Sequence, residues 1–314
     1  MKPRNWNLTK PKQDSEEEPI PHDQNIENLA LRKDLKSVLL LTILGLVVSS
    51  IVVFFVFPHF TGSSSFQLTH LFWVAVFAGL VAQIIDGALG MAYGVTSTTL
   101  LMALGVPPAA ATGSVHMSEV FTTAFSGLSH YKMGNVDFSI FKKLLIPGAI
   151  GAVIGAYIVS IKGDVLKPYI SLYLVFIGFY ILLKAYKRAK VKHEMDSKNI
   201  VPLALFGGFI DSVGGGGWGP VVTSTLIGRG GAPRKIIGSV NSAEFFISIA
   251  AGVSFAILLG FGYWQVIAGL IFGGLFAAPF AAFLTKRIPT KALLIFVGFL
   301  VIIVSSYNLY RSIF

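Results

Sequence analysis

The middle of the chain contains two copies of one segment, 125 residues apart, which align without a gap. Residues 86–121 read DGALGMAYGVTSTTLLMALGVPPAAATGSVHMSEVF, and residues 211–246 read DSVGGGGWGPVVTSTLIGRGGAPRKIIGSVNSAEFF. Identical residues at matching positions include Asp86/Asp211, Gly90/Gly215, Gly94/Gly219, Thr98/Thr223, Leu101/Leu226, Pro108/Pro233, Gly113/Gly238, Ser114/Ser239, Val115/Val240, Glu119/Glu244 and Phe121/Phe246. Chance alone would give far fewer matches, so the chain must fold around two copies of one structural unit.

The composition places this duplicated unit in a membrane. Of the 314 residues, 54% are hydrophobic and 13% are charged, whereas a soluble domain carries about 25% charged residues. Long uncharged apolar runs recur, which predicts an all-α polytopic membrane protein. The formal net charge is +10, but the Lys and Arg residues lie in short loops, where they set orientation in the membrane rather than bind nucleic acid. The absence of cysteine excludes disulfides, thiolate metal sites and a cysteine nucleophile.

The apolar runs predict the order of the helices. Residues 1–36 form a polar cytoplasmic tail that we expect to be disordered, and residues 37–57 form an extra, uncleaved transmembrane helix. The predicted helices are 37–57, 68–86, 90–104, 113–131, 143–161, 167–186, 200–211, 217–228, 238–259, 263–284 and 291–312. The four that flank Asp86 and Asp211 are shorter than, or near, the roughly 17 residues of a full span. We therefore predict two helical hairpins, each of which enters and leaves on one side.

The basic residues predict the orientation of each part. With the N-terminus in the cytoplasm, 18 Lys and Arg residues near the helices fall inside and 3 fall outside, as the positive-inside rule requires. The first repeat, 68–187, then enters from outside, and the second repeat, 200–312, enters from inside after a basic cytoplasmic linker, 188–199. Two inverted-topology repeats, each a broken-helix hairpin plus three transmembrane helices, are typical of secondary transporters.

Four of the 15 acidic residues fall in predicted membrane helices, and all four belong to identical pairs of the repeat: Asp86, Glu119, Asp211 and Glu244. A charged side chain at the centre of a membrane helix costs at least about 2.5 kcal/mol on insertion scales. For Asp86 and Asp211, directly before Gly-rich segments, we favour capping of a broken helix over ion coupling. For Glu119 and Glu244, inside helices, we favour proton coupling over capping.

The Gly-rich segments GALGMAYG and GGGGWG are predicted to break the hairpin helices. A helix broken at membrane depth exposes backbone N–H groups and the positive end of its dipole, and both attract an anion. The predicted substrate-binding residues around the breaks are Gly90, Tyr93, Gly94, Thr98, Gly215, Gly216, Trp218, Gly219 and Thr223. In the alternative interpretation the glycines allow tight helix crossing, the aromatic residues pack, and the threonines bond back to their own helices. A phosphate-loop motif G-x-x-x-x-G-K-[ST] is missing, which argues against nucleotide binding.

The helix after each hairpin is predicted to begin at a Gly-Ser pair, 113–114 or 238–239. Ser114 and Ser239 either cap this helix or face the substrate. His116 and its repeat mate Asn241 are further candidates for substrate binding, since a histidine can contact an anion or exchange a proton. No Lys or Arg lies in the predicted core. A metal site is not expected, because no second histidine lies at ligand spacing on this helix.

Together these motifs resemble the sulfite exporter TauE/SafE family of membrane proteins over about residues 68–312. The resemblance rests on the duplicated D-x-x-x-G-x-x-x-G break, on the Pro-x-x-x-x-Gly-Ser connectors at 108–114 and 233–239, and on the Glu five residues after each Ser. It implies transport of a small sulfur-containing anion such as sulfite or an organosulfonate.

The predicted function is a secondary active transporter, an exporter of such an anion, that works by alternating access with proton coupling. We expect it in the cell inner (plasma) membrane, with the small anion and the lipid bilayer as partners, and without cofactor or nucleic acid. Alternatives are a cation- or proton-coupled transporter of another small organic acid, an anion channel, and an intramembrane enzyme or assembly subunit. An enzyme is disfavoured because no nucleophile and base are legible. The oligomeric state stays open, with a homodimer as one option.

Overall fold

The structure is a computed structural model that describes residues 68–89, 91–132, 134–186, 199–285 and 289–314, together with Val47. The predicted tail, the extra helix apart from Val47, and nearly all of the linker lie outside the described residues. Within these ranges the fold is helical without any β-strand, as the composition predicts. The helices are α1 His70–Leu89, α2 Tyr93–Ala103, α3 Pro108–Lys132, α4 Phe138–Tyr186, α5 Ile200–Gly214, α6 Ser224–Gly228, α7 Pro233–Leu259, α8 Trp264–Thr285 and α9 Thr290–Ile313, with a π-helical turn at Trp218–Thr223.

The surface of this fold is suited to lipid. Helices α4, α7 and α9 are long and apolar enough to cross a membrane, and α1, α5 and α8 contain shorter apolar stretches. Large apolar side chains point outward along them, including Phe77, Phe176 and Ile257, whose exposed fractions are 60%, 63% and 77%. Exposed apolar surface on this scale would be unfavourable in water, and a bilayer removes the penalty.

Both hairpins are interrupted at the Gly-rich segments. Helix α2 starts after Ala92, whose φ of 95° is in the left-handed region, a conformation that costs a non-glycine residue roughly 1–2 kcal/mol. Helix α5 is capped at its C-terminal end by Gly215, whose φ is 66°, a left-handed conformation that glycine adopts without strain. The backbone therefore turns at the residues where the sequence predicts a break.

The two hairpins also share the backbone of their tips. Gly105 follows α2 and Gly230 follows α6, and these residues are 125 positions apart. Their φ angles are 91° and 99°. The duplication in sequence is thus matched by equal local conformations at the turns.

The helices after the hairpins begin earlier than the Gly-Ser pairs, so that prediction is wrong. Helix α3 begins at Pro108 and α7 at Pro233, because proline at the first helical position lacks an N–H group that would be unpaired there anyway. Ser114 and Ser239 therefore lie inside their helices and do not cap them. Gly113 lies inside α3, where packing explains the glycine: a Cβ there would lie 3.0 Å from the ring of Phe255.

Helix α4 is helical over 49 residues, although two spans with a loop at 162–166 were predicted. The helix bends back on itself. In a straight helix Gly148 and Lys184 would lie about 54 Å apart, but the contacts of these two residues bring them closer together. A Cβ at Gly148 would lie 2.9 Å from the Trp218 ring, and the Lys184 ammonium lies 2.9 Å from the sulfur of Met91, which itself touches the residue after Trp218. Pro168 lies between these two points and is a usual cause of a kink.

The mate helices α3 and α7 pack against each other in opposite directions. A Cβ at Gly127, late in α3, would lie 3.3 Å from Ser242, early in α7. A Cβ at Gly252, late in α7, would lie 3.3 Å from Met117, early in α3. Since both helices begin at mate prolines, equivalent parts of the two repeats run antiparallel at their contact.

The remaining helices exchange partners between repeats. Helix α1 packs on α8, where a Cβ at Gly79 would lie 2.5 Å from the carbonyl oxygen of Leu270. Helix α5 packs on the first half of α4, where a Cβ at Gly151 would overlap the carbonyl oxygen of Leu205. An offset of 125 residues relates α1 to α5 and the first half of α4 to α8. The first helix of each hairpin, α1 or α5, therefore packs on a helix of the other repeat, at a distance that only glycine permits.

Candidate functional site

The two breaks meet between α3 and α7 and enclose a cavity of about 200 Å³. A Cβ at Gly94 would overlap the carbonyl oxygen of Gly215 and would lie 3.0 Å from Glu119 Oε1 and 3.1 Å from Gly216 Cα. A Cβ at Gly219 would lie 3.0 Å from the Cβ of Met91. The breaks thus touch backbone to backbone beside a carboxylate.

The cavity gathers many of the residues that the sequence singled out. The predicted site residues that line it are Asp86, Tyr93, Gly94, Glu119, Asp211, Gly216, Gly219, Asn241 and Glu244. They come from both repeats and from segments more than 150 residues apart in sequence. Gly90, the remaining predicted residue of the first break, lies outside the described residues.

The two aspartates hold the breaks. Asp86 Oδ1 accepts a hydrogen bond from the Tyr93 N–H at 3.2 Å. Asp211 Oδ1 accepts from the N–H groups of Gly217 at 2.6 Å and Trp218 at 2.9 Å. Each carboxylate therefore pairs N–H groups that a broken helix leaves open, as the capping interpretation requires.

Glu119 and Glu244 have different surroundings although they are repeat mates. Glu119 Oε2 lies 3.2 Å from His116 Nδ1, and the same nitrogen lies 3.9 Å from Asp211 Oδ2. Asn241 replaces His116 in the second repeat, and its amide donates to the Ser126 hydroxyl at 3.0 Å. Glu244 lines the cavity without an ion pair among the described side chains. The repeat is therefore chemically asymmetric at its centre.

Several predicted binding residues serve packing instead of the cavity. Trp218 is fully buried, and its indole N–H donates to the Val240 carbonyl at 3.3 Å. The Thr98 hydroxyl donates to the Gly215 carbonyl at 3.1 Å, which ties the first hairpin to the second break. The Ser239 hydroxyl donates to the Lys235 carbonyl at 2.8 Å. The remaining predicted residues outside the lining are Ser114, His116, Gly215 and Thr223, which are all buried.

The cavity also includes residues that the sequence analysis missed. They are Gln83, Met91, Ala92, Val95, Thr122, Thr123, Ser126, His130, Pro220 and Ile237. Spacing along α3 could have found part of this set, because 119, 122, 123, 126 and 130 lie on one face of a helix. Thr122, Thr123 and Ser126 on that face are small polar residues, so the sequence does not by itself indicate that they line a site.

The cavity follows only one end of the α3–α7 pair. On α3 it extends from Glu119 towards His130 at the C-terminal end, and on α7 it includes residues of the N-terminal half. The repeat mates of Thr122, Thr123, Ser126 and His130 are Ile247, Ser248, Ala251 and Phe255, which are at most 2% exposed. The corresponding path on the other side is thus filled by packed side chains.

Positive charge surrounds the His130 end of the cavity. The Arg234 guanidinium donates to the side-chain oxygen of Asn135, whose amide nitrogen lies 3.2 Å from His130 Nδ1. Lys132 and Lys235 are exposed nearby on the ends of α3 and α7. An anion approaching this end meets a favourable potential before it reaches the carboxylates.

One lysine lies closer to the breaks than the sequence analysis predicts. The half-buried Lys184 ammonium donates to the Ser224 hydroxyl at 2.8 Å and lies 2.9 Å from the sulfur of Met91, which lines the cavity. A core without basic side chains was predicted, and the bend of α4 is the reason that this was wrong. Periodicity within one helix does not reveal such a bend.

Broken apolar helices that enclose a polar cavity define a polytopic membrane transporter as the class of this protein. The family model of the sulfite exporter TauE/SafE family matches residues 75–308. The chain is 47% identical over 245 residues to the probable membrane transporter protein YtnM of Bacillus subtilis (strain 168), covering 75% of this chain and 82% of that protein. The chain therefore belongs to the sulfite exporter TauE/SafE family, which confirms the resemblance seen in its motifs.

More distant relatives carry the same kind of name. The probable membrane transporter protein ORF9 of Sinorhizobium sp is 30% identical over 218 residues, which cover 66% of this chain and 77% of that protein. The probable membrane transporter protein YunE of Bacillus subtilis (strain 168) is 21% identical over 270 residues, covering 77% of this chain and 99% of that protein. No solved structure matches the chain.

Proposed function

We propose that this transporter moves a small sulfur-containing anion, such as sulfite or an organosulfonate, by alternating access, and that a proton on Glu244 accompanies the anion. The observation that carries the proposal is the cavity between the two breaks, which is lined by Glu244 on one mate helix and Glu119 on the other. The proposed location is the plasma membrane with the N-terminus in the cytoplasm, as the distribution of basic residues favours.

The direction of the mate helices supports alternating access. Helices α3 and α7 run antiparallel, which favours inverted repeats, because repeats related by an axis along the membrane normal would run in the same direction. In inverted-repeat transporters the second state arises when the two repeats exchange conformations. The exchange would open the path along Ile247, Ser248 and Ala251 and close the path along their mates, which now line the cavity.

Backbone N–H groups supply the contacts for an anion. The Tyr93 N–H already donates a hydrogen bond to Asp86. The next N–H groups lie in the first turn of the helix, where no carbonyl of the same helix can accept their hydrogen bonds. Gly94 and Val95 occupy this turn and line the cavity. The helix dipole adds a partial positive charge at the same place.

The carboxylates around the cavity make anion binding depend on protons. A negative charge about 5 Å from an ionised carboxylate is repelled by about 3 kcal/mol at an effective dielectric of 20, or roughly two orders of magnitude in affinity. Asp86 and Asp211 accept hydrogen bonds from backbone N–H groups at the breaks, and Glu119 lies beside His116. Glu244 is therefore the carboxylate that we assign to proton uptake, although the symmetry of the sequence predicted both glutamates.

Coupling of one proton to one monovalent anion is electroneutral. The direction of net transport then follows the sum of the anion and proton gradients, and export occurs when the internal anion concentration outweighs the pH gradient. The membrane potential alone would not drive this cotransport of proton and anion. A channel would differ, because its current would follow the potential.

Reconstitution in liposomes tests the proposal. Efflux of two monovalent anions, bisulfite at about pH 6 and methanesulfonate, should saturate with concentration, should follow an imposed pH gradient and should not respond to a potassium diffusion potential. Glutamate-to-glutamine substitution at 244 should remove the pH dependence, and the exposed Lys142→Met variant serves as a control for reconstitution. Absence of flux for both anions under every gradient would refute the substrate assignment, and flux that follows the potential would refute the electroneutral coupling.

A further inference from the structure

Three buried side chains converge beside the cavity from two parts of the fold. His116 and Glu119 lie on α3, and Asp211 lies at the end of α5. Their exposed fractions are 0%, 4% and 4%. His116 Nδ1 lies 3.2 Å from Glu119 Oε2 and 3.9 Å from Asp211 Oδ2, and all three atoms fall within 4.8 Å of one another.

These three atoms have no hydrogen-bond partner among the described residues. The other ring nitrogen, His116 Nε2, lies 3.3 Å from the backbone carbonyl oxygen of Asp211. A carbonyl oxygen only accepts, so Nε2 carries the hydrogen and the lone pair of Nδ1 is turned towards the two carboxylates. Although Nδ1 and Glu119 Oε2 are close, their orientation is outside the angular range of a hydrogen bond. Three electron-rich atoms buried together are stabilised by a cation between them, which is either a proton or a metal ion.

We propose that His116, Glu119 and Asp211 form a binding site for a divalent transition metal ion of the zinc class. Zinc lies about 2.0–2.2 Å from nitrogen and carboxylate oxygen, which places tetrahedral donors about 3.3–3.6 Å from one another. The observed separations of 3.2 and 3.9 Å bracket these values. An imidazole with two carboxylates suits zinc, whereas sodium, magnesium and calcium prefer oxygen alone.

The surroundings of the three donors support this site. The Nε2–H of His116 is fixed by a backbone carbonyl, as in most metal-binding histidines. Asp211 uses its second oxygen to accept from the N–H groups of Gly217 and Trp218, which orients the first oxygen. Phe255 stacks on the imidazole, with ring centroids 6.1 Å apart and planes at 13°. These contacts hold the donors in place without using the converging atoms.

The site takes His116 and Glu119 from the first repeat and Asp211 from the second, and it goes beyond the proposed transport of an anion. The mates of the three ligands are Asn241, Glu244 and Asp86, so the second repeat lacks the imidazole. Glu119 and Asp211 both line the cavity, which provides a path for the ion and leaves room for a further ligand. No metal site was expected from the sequence because histidine spacing was considered along one helix only, and Asp211 on α5 was not included as a ligand.

Zinc binding to the purified full chain tests the proposal. The protein is prepared in detergent without a histidine tag, cleared with a chelator and titrated with Zn²⁺ by calorimetry. We expect one Zn²⁺ per chain. The His116→Asn and Glu119→Gln variants should each bind at least about 100-fold more weakly, the upper range for loss of a supporting group, whereas Asp164→Asn, at an exposed carboxylate away from the cavity, should bind like the parent. Because the chain has no cysteine, thiolates cannot contribute to binding.

Three results would overturn the proposal: no stoichiometric Zn²⁺, binding that survives His116→Asn, or equal losses in Glu119→Gln and Asp164→Asn. The first would mean that a proton alone lies between the donors. X-ray absorption at the zinc edge of the unmodified protein gives a test that does not depend on variants. One imidazole with oxygen ligands at about 2.0–2.2 Å supports the site, and a shell of oxygen alone refutes it.

Discussion

The contact between the two breaks predicts a graded effect of alanine at three glycines. A Cβ at Gly94 would overlap the backbone carbonyl of Gly215, and the backbone cannot move aside as a flexible side chain would. At Gly219 the new atom would lie 3.0 Å from Met91 Cβ and 3.3 Å from its Cα, so a shift of a few tenths of an ångström is enough. At Gly228 no atom lies within 4 Å.

Overpacking of a tight contact destabilises it by about 1–3 kcal/mol. For Gly94→Ala we expect the upper part of this range, because the clash also reaches Glu119 Oε1 at 3.0 Å. A loss of about 3 kcal/mol corresponds to roughly a 150-fold lower population of the closed site. Gly219→Ala should be milder, and Gly228→Ala should match the parent protein, since alanine is also the better helix former.

Initial rates of anion efflux from liposomes, normalised to the amount of folded protein by size-exclusion chromatography, provide the assay. The expected order of rates is Gly228→Ala, then Gly219→Ala, then Gly94→Ala. Transport by well-folded Gly94→Ala at the rate of Gly228→Ala would refute the view that backbone contact between the breaks forms the site. Equal loss in all three variants would refute it as well, because Gly228 has open space.

Three further predictions concern single side chains. Glu244→Gln should make anion affinity independent of pH, measured as the concentration for half-maximal efflux between pH 5 and 8, and unchanged pH dependence would contradict the coupling assignment. Trp218→Ala should lower the free energy of unfolding by about 3–5 kcal/mol, seen as a lower melting temperature in detergent, whereas Trp73→Ala, at a 58% exposed residue, should have little effect. Lys184→Met should raise the half-saturating anion concentration, because it removes a positive charge beside Met91, which lines the cavity, and Lys142→Met should not.

The sequence predicted the parts of the site that depend on local chemistry. Glycine runs next to Asp86 and Asp211 indicate helix breaks, because a carboxylate pairs free N–H groups and glycine allows the turn. The repeat indicates that Glu119 and Glu244 belong to one centre. Both inferences need only neighbouring residues and the offset between copies.

Other parts of the site depend on contacts between distant segments. The approach of Asp211 to His116 spans 95 residues, and spacing along one helix does not reveal it. Lys184 reaches the breaks only because α4 bends. Tyr93 and Trp218 are mates and both are buried, yet only Tyr93 lines the cavity, because the two repeats are packed differently in this state.

Helix starts illustrate a local signal that was weighed incorrectly. Gly-Ser at 113–114 predicts a helix start, but Pro108 provides the stronger signal for a first helical residue. Gly113 is explained by the close approach of Phe255. A glycine inside a membrane helix can therefore mark a packing contact as well as a helix end.

Alternating access between the two mate paths is most directly tested with single cysteines, because the chain has none of its own. Ser126→Cys lies on the cavity, and its mate Ala251→Cys lies at a position with 0% exposure. We predict that a membrane-impermeant thiol reagent modifies Ser126→Cys from one side and Ala251→Cys from the other during turnover. Conditions that slow one modification should accelerate the other. Ser126→Cys that is modified while Ala251→Cys stays unreactive from both sides during measured transport would contradict the account.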